Sequence, residues 1–593
     1  MRSVLWLGLL CACVQPDSVP RHRPAWEPFD PTQPGWQASC KMLLVADCQV
    51  HNLLSAPVPE RNLTIEAASG TAIRPPQLDL FATDVLSYVL QRHAADVEFI
   101  VHLGDALDLA CEGELDKFLQ VMTAAGRPWV MAPGNHDFYY FGSYDPDDPE
   151  LWAAACRGAG GRLTKGDFIR RYVAALAQQP VFAPLAAALA IDTTAATADG
   201  RAVARTLPPD FEWQASARDS RLQRICWHID ATQPWRSFLL QLVTATGPGE
   251  DGLPAYVLLL DSCQYGHRPA LIPNAWCSYP VGLNCGFTGE MLPDQLRTAR
   301  AWLEAVPRPS ARVAMCHHPF RSLAPRSRAC LGWLWREMKL GLLVTAHTHK
   351  GFYAHHDLGG GQDELELNLG STTDWPMEWR TLQAYANFAS QRIYARSERH
   401  TLVEALRQDG DAFLPGWEVP PGAPDDYRGY RQGSSAQGLL FDFYLAHHLV
   451  PYWLPMPTIR ANAAARHTEQ QIKVGMLWTW QRLLQQFPTD PRHAAAWPAG
   501  CVDDEAVLAR IVAALAQPER VDERVDLLAE LAEFERTRRS CNAAGEATDA
   551  ARGRYKLSQA AWAARYESAQ GRLLQVEDEL IRVDWPVDQP PSR

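Results

Sequence analysis

The chain has 593 residues, a formal net charge of −12, an apolar share of 47% and a charged share of 21%. This composition is that of a folded globular protein and excludes an intrinsically disordered or fibrous chain. Lys and Arg form no continuous run, which argues against a long nucleic acid as a partner. Because single hydrophobic cores rarely exceed roughly 250–300 residues, we expect one large domain with accessory regions.

The N-terminal segment has the pattern of an export signal. Arg2 precedes an apolar run at residues 4–10 that is too short to span a bilayer. The tetrapeptide at residues 10–13 is similar to a bacterial lipobox, whose final cysteine, here Cys13, becomes lipidated. We therefore expect a signal at 1–13, a Pro-rich tether at 14–40, and a lipid-anchored or periplasmic protein of the bacterial cell envelope. A cytoplasmic location is the alternative.

Cysteine usage is compatible with export. The chain contains 14 cysteines, and none of them shows the repeated CxxC spacing of a structural zinc site. An exported protein can form disulfides. The nearest candidates by local spacing are Cys277 with Cys285 and Cys501 with Cys541, and the sequence leaves the connectivity open.

Predicted strands and helices alternate over residues 41–140. A helix is predicted at 78–93, and apolar strands are predicted at 42–46, 97–103 and 129–132. Each of these strands is followed by polar residues. Since ligands bind at the carboxyl ends of strands in open α/β sheets, we expect these polar residues to form a site.

The rest of the chain is predicted to contain a helical insertion, a second group of strands and a helical C-terminal region. The insertion covers about 141–235, and the region from 376 to 593 is predicted to be mainly helical. Between them we predict a hairpin of strands 237–246 and 256–261, a helix at 295–304, and strands at 312–315, 341–345 and 365–369. The helices predicted beyond the last strand are 400–407, 469–486, 505–516, 521–538 and 555–583.

Five short polar blocks follow predicted strands. They are Asp47-Cys48-Gln49, Gly104-Asp105-Ala106-Leu107-Asp108, Gly134-Asn135-His136-Asp137, His317-His318-Pro319 and His347-Thr348-His349. In this order, and at strand ends, they resemble the calcineurin-like metallophosphoesterase family over about residues 41–375. The resemblance implies a four-layer α/β/β/α sandwich of two mixed β-sheets, here with a helical insertion and a helical C-terminal extension.

The resemblance also implies two divalent transition metal ions, Mn, Fe or Zn. Two adjacent ions clamp an attacking hydroxide and polarise a phosphoryl oxygen, and mixed imidazole and carboxylate ligands suit these metals. By resemblance, the ligands of the first ion are Asp47, Gln49, Asp105 and His349. Those of the second ion are Asn135, His317, His347 and again Asp105, which bridges the two.

Two further residues carry catalytic roles by the same resemblance. His136 stands free of metal and donates a proton to the leaving-group oxygen as general acid. Asp108 resembles the carboxylate that hydrogen-bonds this histidine and favours its protonated form. His102 and Asp137 are interpreted as structural residues.

The first block departs from the common family pattern, because Gln49 stands where histidine is usual. A neutral amide oxygen binds a metal more weakly than imidazole does, so the first ion is expected to exchange more readily. His51 is an alternative ligand. Near the expected site lie residues 370–376, His267 and Arg268. We interpret these residues as structural, and binding of the substrate is the alternative.

The sequence thus predicts a hydrolase that acts on a small phosphate ester, either a phosphomonoester or a phosphodiester. A nucleotide pyrophosphatase is the alternative within the same chemistry. The alternative of another class is a catalytically inactive binding protein of the cell envelope. The substrate and the oligomeric state stay open at this stage.

Overall fold

The computed structural model describes part of the chain. The described residues are 34–50, 76–138, 156, 160–191, 200–216, 221–247, 252–266, 288–307, 310–349, 351–358, 363–373, 377–387, 392–402 and 579–582. Among them, no helix combines the length and the apolar character needed to cross a membrane.

The first sheet has seven strands in the order β15-β14-β13-β2-β3-β4, and β1 pairs with β13 off this path. These strands are β1 (Gln37–Ala38), β2 (Met42–Val45), β3 (Phe99–His102), β4 (Trp129–Met131), β13 (Glu378–Asn387), β14 (Arg392–Thr401) and β15 (Glu579–Arg582). β2, β3 and β4 run parallel, whereas β13 is antiparallel to β2. The sheet is therefore mixed.

The second sheet has eight strands in the order β11-β12-β10-β9-β8-β7-β6-β5. They are β5 (Asp210–Gln214), β6 (Leu222–His228), β7 (Phe238–Thr244), β8 (Ala255–Leu259), β9 (Ala311–Met315), β10 (Leu342–Thr345), β11 (Phe352–Asp357) and β12 (Asp363–Asn368). β8, β9, β10 and β12 are parallel, and the outer pairs are antiparallel. The predicted hairpin corresponds to β7 and β8.

Seven α-helices lie within the described residues. They are α1 (Pro76–His93), α2 (Glu112–Ala124), α3 (Lys165–Gln178), α4 (Ala183–Ala188), α5 (Gly200–Thr206), α6 (Pro293–Glu304) and α7 (Pro325–Glu337). Side chains of α1 and α2 join the core that the two sheets share, and α6 and α7 cover the outer face of the second sheet.

The second sheet is buried on both faces, and successive side chains of its strands pack into different cores. Leu239 of β7 packs into the core shared with the first sheet, and its neighbour Leu240 packs under α6 and α7. Val313 and Ala314 of β9 divide in the same way. Because successive side chains of a strand point to opposite faces, a strand buried on both faces is apolar throughout. The two mixed sheets and their helices confirm the predicted fold class.

The helical insertion is shorter than predicted. Its helices are α3, α4 and α5, and the chain then forms β5 and β6, which extend the edge of the second sheet. β5 alternates between exposed and half-buried residues, with Phe211 and Trp213 on the half-buried face, which is a strand pattern that the prediction of a helical insertion overlooked. Pairing with β6 over Asp210 to Gln214 makes it a strand.

The beginning of the predicted helical C-terminal region is also sheet. β13 and β14 form a ten-residue antiparallel ladder, and β13 pairs with β2 beside the first polar block. The predicted helix at 400–407 begins inside β14, and residues 579–582 of the predicted helix 555–583 form β15. The other helices predicted in this region lie outside the described residues. The two-sheet domain therefore continues past residue 375 to at least Thr401.

Candidate metal centre

The five polar blocks meet where strands of both sheets end. Asp47 and Asp105 follow the adjacent parallel strands β2 and β3, and the amide of Asp47 donates to the Gly104 carbonyl at 3.0 Å. His317 and His347 follow β9 and β10, which are also parallel neighbours. Parallel strands present their carboxyl ends at one edge, so each sheet contributes polar groups to one place.

Of the four side chains predicted for the second metal ion, three converge on a nitrogen atom of the fourth. His317 Nε2 lies 3.2 Å from Asp105 Oδ2, 3.1 Å from Asn135 Oδ1 and 3.2 Å from His347 Nδ1. Two ligand atoms that each stand about 2.0–2.1 Å from one ion are themselves roughly 3–3.4 Å apart. These contacts therefore have the spacing of a ligand set.

The tautomer of His317 suits a ligand. Its Nδ1 lies 2.8 Å from the carbonyl oxygen of Leu103, which can only accept a hydrogen bond. Nδ1 therefore carries a proton in either charge state, and Nε2 faces the cluster, where its lone pair would become available once a metal ion displaces the second proton. A backbone carbonyl that orients an imidazole in this way is the usual partner of a metal-bound histidine.

The side chains predicted for the first ion lie beside this group. His349 Nε2 is 3.6 Å from Asp47 Oδ1, and the amide of His347 donates to Asp47 Oδ2 at 3.2 Å. Asp47 Oδ1 and Gln49 Oε1 are buried acceptors with no hydrogen-bond partner among the described residues. Buried acceptors normally find a donor or a cation, so these two oxygens fit a positively charged ligand.

Backbone strain is concentrated at the same residues. Asp47, Gln49, Asp105, His347 and His349 have φ values of 49°, 39°, 52°, 71° and 59°. Such a left-handed conformation costs a non-glycine residue on the order of 1–3 kcal/mol, and it persists only where its surroundings impose it. Five strained residues in one cluster indicate that the fold holds these side chains for a function.

Glycine is required where the second and third blocks touch. A Cβ atom on Gly104, whose φ is +85°, would lie 2.6 Å from the Gly134 amide nitrogen and 2.8 Å from His317 Nδ1. One on Gly134 would overlap with Asp105 Oδ1. All three approaches are far closer than van der Waals contact. The two glycines thus allow the loops of the second and third blocks to approach each other.

Hydrogen bonds to the backbone hold these loops in place. The Asp137 carboxylate accepts from the amides of Gly134, Asp105, Ala106 and Leu107 at 2.7, 3.1, 2.8 and 3.1 Å. This confirms its predicted structural role.

Residues that follow β12 hold the first polar block in place by hydrogen bonds to its backbone. Ser371 Oγ donates to the Asp47 carbonyl at 2.7 Å, and Thr373 Oγ1 donates to that of Cys48 at 2.5 Å. These described residues of the segment 370–376 therefore act as supports. His267, Arg268 and His51 lie outside the described residues.

Asp105 and His317 form a buried ion pair. Burial alone would raise the pKa of the Asp105 carboxyl, but the charges of His317 and His136 hold that pKa well below its usual range. Burial likewise opposes the charged form of His317, yet Asp105 raises the pKa of His317 to about 9. Without metal, this imidazole therefore carries a proton at neutral pH, which a metal ion must displace.

Burial acts in opposite directions on two other members of the cluster. It raises the pKa of Asp47 to about 7, against the opposing charges of His349 and His317. Burial, together with the nearby His318, holds the pKa of His347 well below its usual range. A cation at the cluster would stabilise the charged form of Asp47 and the neutral form of His347 that ligation requires.

His136 is placed beside the cluster, and its contact with Asp108 differs from the predicted one. His136 Nδ1 donates to the backbone carbonyl of Asp108 at 2.8 Å. The Asp108 carboxylate stands 4.0 Å from the same nitrogen, which is too long for a hydrogen bond. The predicted side-chain hydrogen bond is therefore wrong, and the main chain of Asp108 orients the ring. The His136 amide also donates to Asp105 Oδ1 at 2.8 Å.

His318 was not predicted to be part of the site. It is fully buried, its ring centroid lies 4.4 Å from that of His347, and its Nδ1 lies 2.9 Å from Ser262 Oγ. With His317 and His347 it forms a group whose ligand atoms all lie within 4.8 Å of one another. The only signal in the sequence is its position next to His317.

Buried carboxylates, amides and imidazoles at adjoining strand ends of two mixed sheets define the site class of a metal-dependent hydrolase. The family model described as calcineurin-like phosphoesterase matches residues 43–177, and this match confirms the predicted resemblance. It supports metal-dependent hydrolysis of phosphoesters in general and implies divalent metal ions. No curated protein matches the chain in sequence.

Among solved structures, the chain is similar to purple acid phosphatase PPD1 from yellow lupin (Lupinus luteus) seeds, with 11% identity and a TM-score of 0.29. This similarity covers 62% of the chain and 52% of the lupin protein, so the chain spans about half the length of that protein. It is also similar to GAP50, the anchor in the inner membrane complex of Plasmodium, with 9% identity, a TM-score of 0.27 and coverage of 65% and 99%. Both TM-scores are low.

Proposed function

We propose that this protein hydrolyses a small phosphate ester with the help of two divalent metal ions. The observation that carries the proposal is the convergence of Asp105, Asn135 and His347 on His317 Nε2 at 3.1–3.2 Å. The neighbouring Asp47 and Gln49 oxygens are buried and have no hydrogen-bond partner among the described residues. The residues present therefore fit two ions, with Asp105 between them.

Each residue has a separate task in this reaction. Bound at the cluster, two divalent ions supply the Lewis acidity that phosphoester hydrolysis requires. Asp47, Gln49 and His349 would hold the first ion, and Asn135, His317 and His347 the second. His136, which is only partly buried and is held through Nδ1, offers Nε2 for protonation of the leaving-group oxygen.

The decisive experiment combines metal analysis with a substrate screen. Metal-free protein would be reconstituted separately with Mn²⁺, Zn²⁺ and Fe²⁺, and then assayed on phosphomonoesters, phosphodiesters and nucleotide pyrophosphates. We expect up to two ions per chain and turnover of an ester class, with Asp105→Asn binding no metal pair. Absence of bound metal after reconstitution would contradict the proposal. Two bound ions without any turnover would favour an inactive binding protein.

We also propose that the protein is exported to the cell envelope. Cys111 and Cys156 form a disulfide, although the sequence favoured other pairs, which lie outside the described residues. Disulfides persist in oxidising compartments and are rare in the cytosol, so this bond supports the export signal at residues 1–13. The cysteine predicted to carry lipid also lies outside the described residues.

A further inference from the structure

Glu366 of β12 is a buried carboxylate outside the predicted site. Its side chain is 1% exposed, and Oε1 accepts from Thr345 Oγ1 at 2.6 Å and from the Phe320 amide at 3.0 Å. Its Oε2 lies 2.6 Å from Nε2 of the buried His356 on β11. Three donors therefore converge on one carboxylate.

Two of these donors belong to the loops that carry the metal ligands. Thr345 ends β10 and stands two residues before His347, and Phe320 follows His317 by three residues. One oxygen atom of Glu366 thus joins the end of β10 to the loop that follows β9. No other acceptor for the Phe320 amide is found among the described residues.

The next residue on the same face of β12 extends this support. Asn368 donates through Nδ2 to Thr345 Oγ1 at 2.8 Å and to the Ala346 carbonyl at 2.6 Å. Its Oδ1 accepts from Thr348 Oγ1 at 2.5 Å. Thr348 separates His347 from His349, both of which have strained left-handed backbones. β12 therefore holds residues 345–348 by hydrogen bonds, two of which are made by Thr345 Oγ1.

Building on the metal-dependent function proposed above, we propose that Glu366 is a positioning residue that sets the separation of His317 and His347. Their facing nitrogens are 3.2 Å apart, and this spacing decides whether both bind the same ion. The carboxylate is suited to the task because it only accepts hydrogen bonds. An apolar side chain would leave the Phe320 amide and the Thr345 hydroxyl buried without an acceptor. Glu366 thereby sets the affinity for the second metal ion.

The test is a Mn²⁺ titration of metal-free wild type and Glu366→Leu by calorimetry. Removing an outer partner of metal ligands typically weakens metal binding about 10- to 100-fold, and we expect this for the second Mn²⁺ equivalent. Glu364→Leu is the matched control, because Glu364 lies on the same strand and face and is only partly buried. It should bind both ions as wild type does. Glu366→Gln, which keeps an acceptor oxygen, should recover part of the affinity.

The possible outcomes of the titration distinguish a wrong role for Glu366 from a wrong proposed function. Wild type that binds fewer than two Mn²⁺ ions contradicts the proposed function itself. Wild type that binds two ions, with Glu366→Leu binding the second equally well, overturns the role of Glu366 alone. A loss of thermal stability without a change in the second Mn²⁺ affinity has the same meaning, since it indicates a structural role only.

A second variant keeps the test decisive if Glu366→Leu does not fold. Thr345→Val removes one hydroxyl group and nearly preserves the shape of the side chain. It should weaken the second Mn²⁺ equivalent and reduce the electron paramagnetic resonance signal of the coupled Mn²⁺ pair. An unchanged affinity and an unchanged pair signal would overturn the proposal.

Discussion

The hydrogen bond that orients the imidazole of His136 is made to a main-chain carbonyl. Its Nδ1 donates to the Asp108 carbonyl, and the His136 amide donates to Asp105 Oδ1. A ring held in this way keeps its position when a neighbouring side chain changes. The proposed role of His136 as proton donor can therefore be tested separately from metal binding.

We expect His136→Gln to retain two metal ions and to lose about 100- to 10,000-fold in turnover of an alkyl phosphate ester. A nitrophenyl ester should be affected much less, because its leaving group needs little protonation. Asp108→Asn keeps the carbonyl that binds Nδ1 and should have a small effect. Steady-state kinetics with both esters, together with metal analysis, checks this. Equal losses on both esters would show that His136 is not the general acid.

His102 illustrates how burial makes stability depend on pH. This histidine is fully buried at the end of β3, 3.2 Å from the Cys48 sulfur, and packs edge-on against Phe118. Burial, assisted by the charge of His317, lowers its pKa to about 3. The unfolded chain therefore takes up this proton near the ordinary value of about 6.5, whereas the folded chain does not.

The corresponding prediction concerns acid unfolding of the metal-free protein. The stability contributed by neutral His102 is complete above about pH 6.5 and falls by up to about 1.4 kcal/mol per pH unit towards pH 3. His102→Leu should remove this part of the pH dependence. Urea unfolding at pH 7 and pH 5 measures it in both proteins. The prediction would be contradicted if the free energy of unfolding changed equally between pH 7 and pH 5 in wild type and in His102→Leu.

Among the elements, helix α3 is fastened to the second sheet by a buried ion pair. Nζ of Lys165, the first residue of α3, lies 3.0 Å from Asp261 Oδ2, and both side chains are fully buried. The same ammonium donates to the Cys263 carbonyl at 2.6 Å and lies 4.6 Å from the centroid of the Phe138 ring. Phe138 follows His136 by two residues, so the insertion supports the loop of the proposed general acid.

Lys165→Met should lower the free energy of unfolding by about 3–5 kcal/mol, because it leaves the Asp261 carboxylate buried without its cation. The double variant Lys165→Met with Asp261→Asn should recover much of this loss, since a neutral amide no longer requires a cation. Urea unfolding of wild type, both single variants and the double variant measures these free energies of unfolding. A double variant as unstable as Lys165→Met would show that the charge pairing is not the cause.

The described domain contains two hydrophobic cores, one between the sheets and one under helices α6 and α7. The shared core between the sheets includes residues of α1, α2 and α3, so the insertion is part of it. The Cys111–Cys156 disulfide adds a covalent link between the second polar block region and the insertion. Such a link between distant parts of the chain fits a protein that folds outside the cytosol.

The location proposal predicts that the protein is recovered with membranes and that Cys13→Ser releases it into the soluble fraction. Stable anchoring needs several acyl chains, as bacterial lipoproteins carry, and these depend on one cysteine. Cys11→Ser is the matched control and should stay with the membrane. Fractionation followed by mass spectrometry of the N-terminus checks this. Wild type found only in the cytoplasm, with an intact N-terminus, would contradict export.

Local patterns in the sequence were sufficient to place each polar block at a strand end, and the family resemblance implied the two-sheet fold class. Apolar runs such as 42–46 and 97–103 become β2 and β3, because strands buried on both faces are apolar throughout. Asp47 and Asp105 then follow at the strand ends. The order of the blocks, together with the family resemblance, was enough to propose which side chains meet.

Tertiary structure alone decided the features that depend on contacts between distant residues. β13 and β14 are strands because β13 covers the edge of β2, and their own residues show no clear strand period. Glu366 approaches the loops after β9 and β10 from β12, the ring of His318 comes to lie beside that of His347, and the Asp108 carbonyl takes the place of its carboxylate beside His136. These distances arise when two sheets are packed together, and neither spacing nor residue type along the chain contains them.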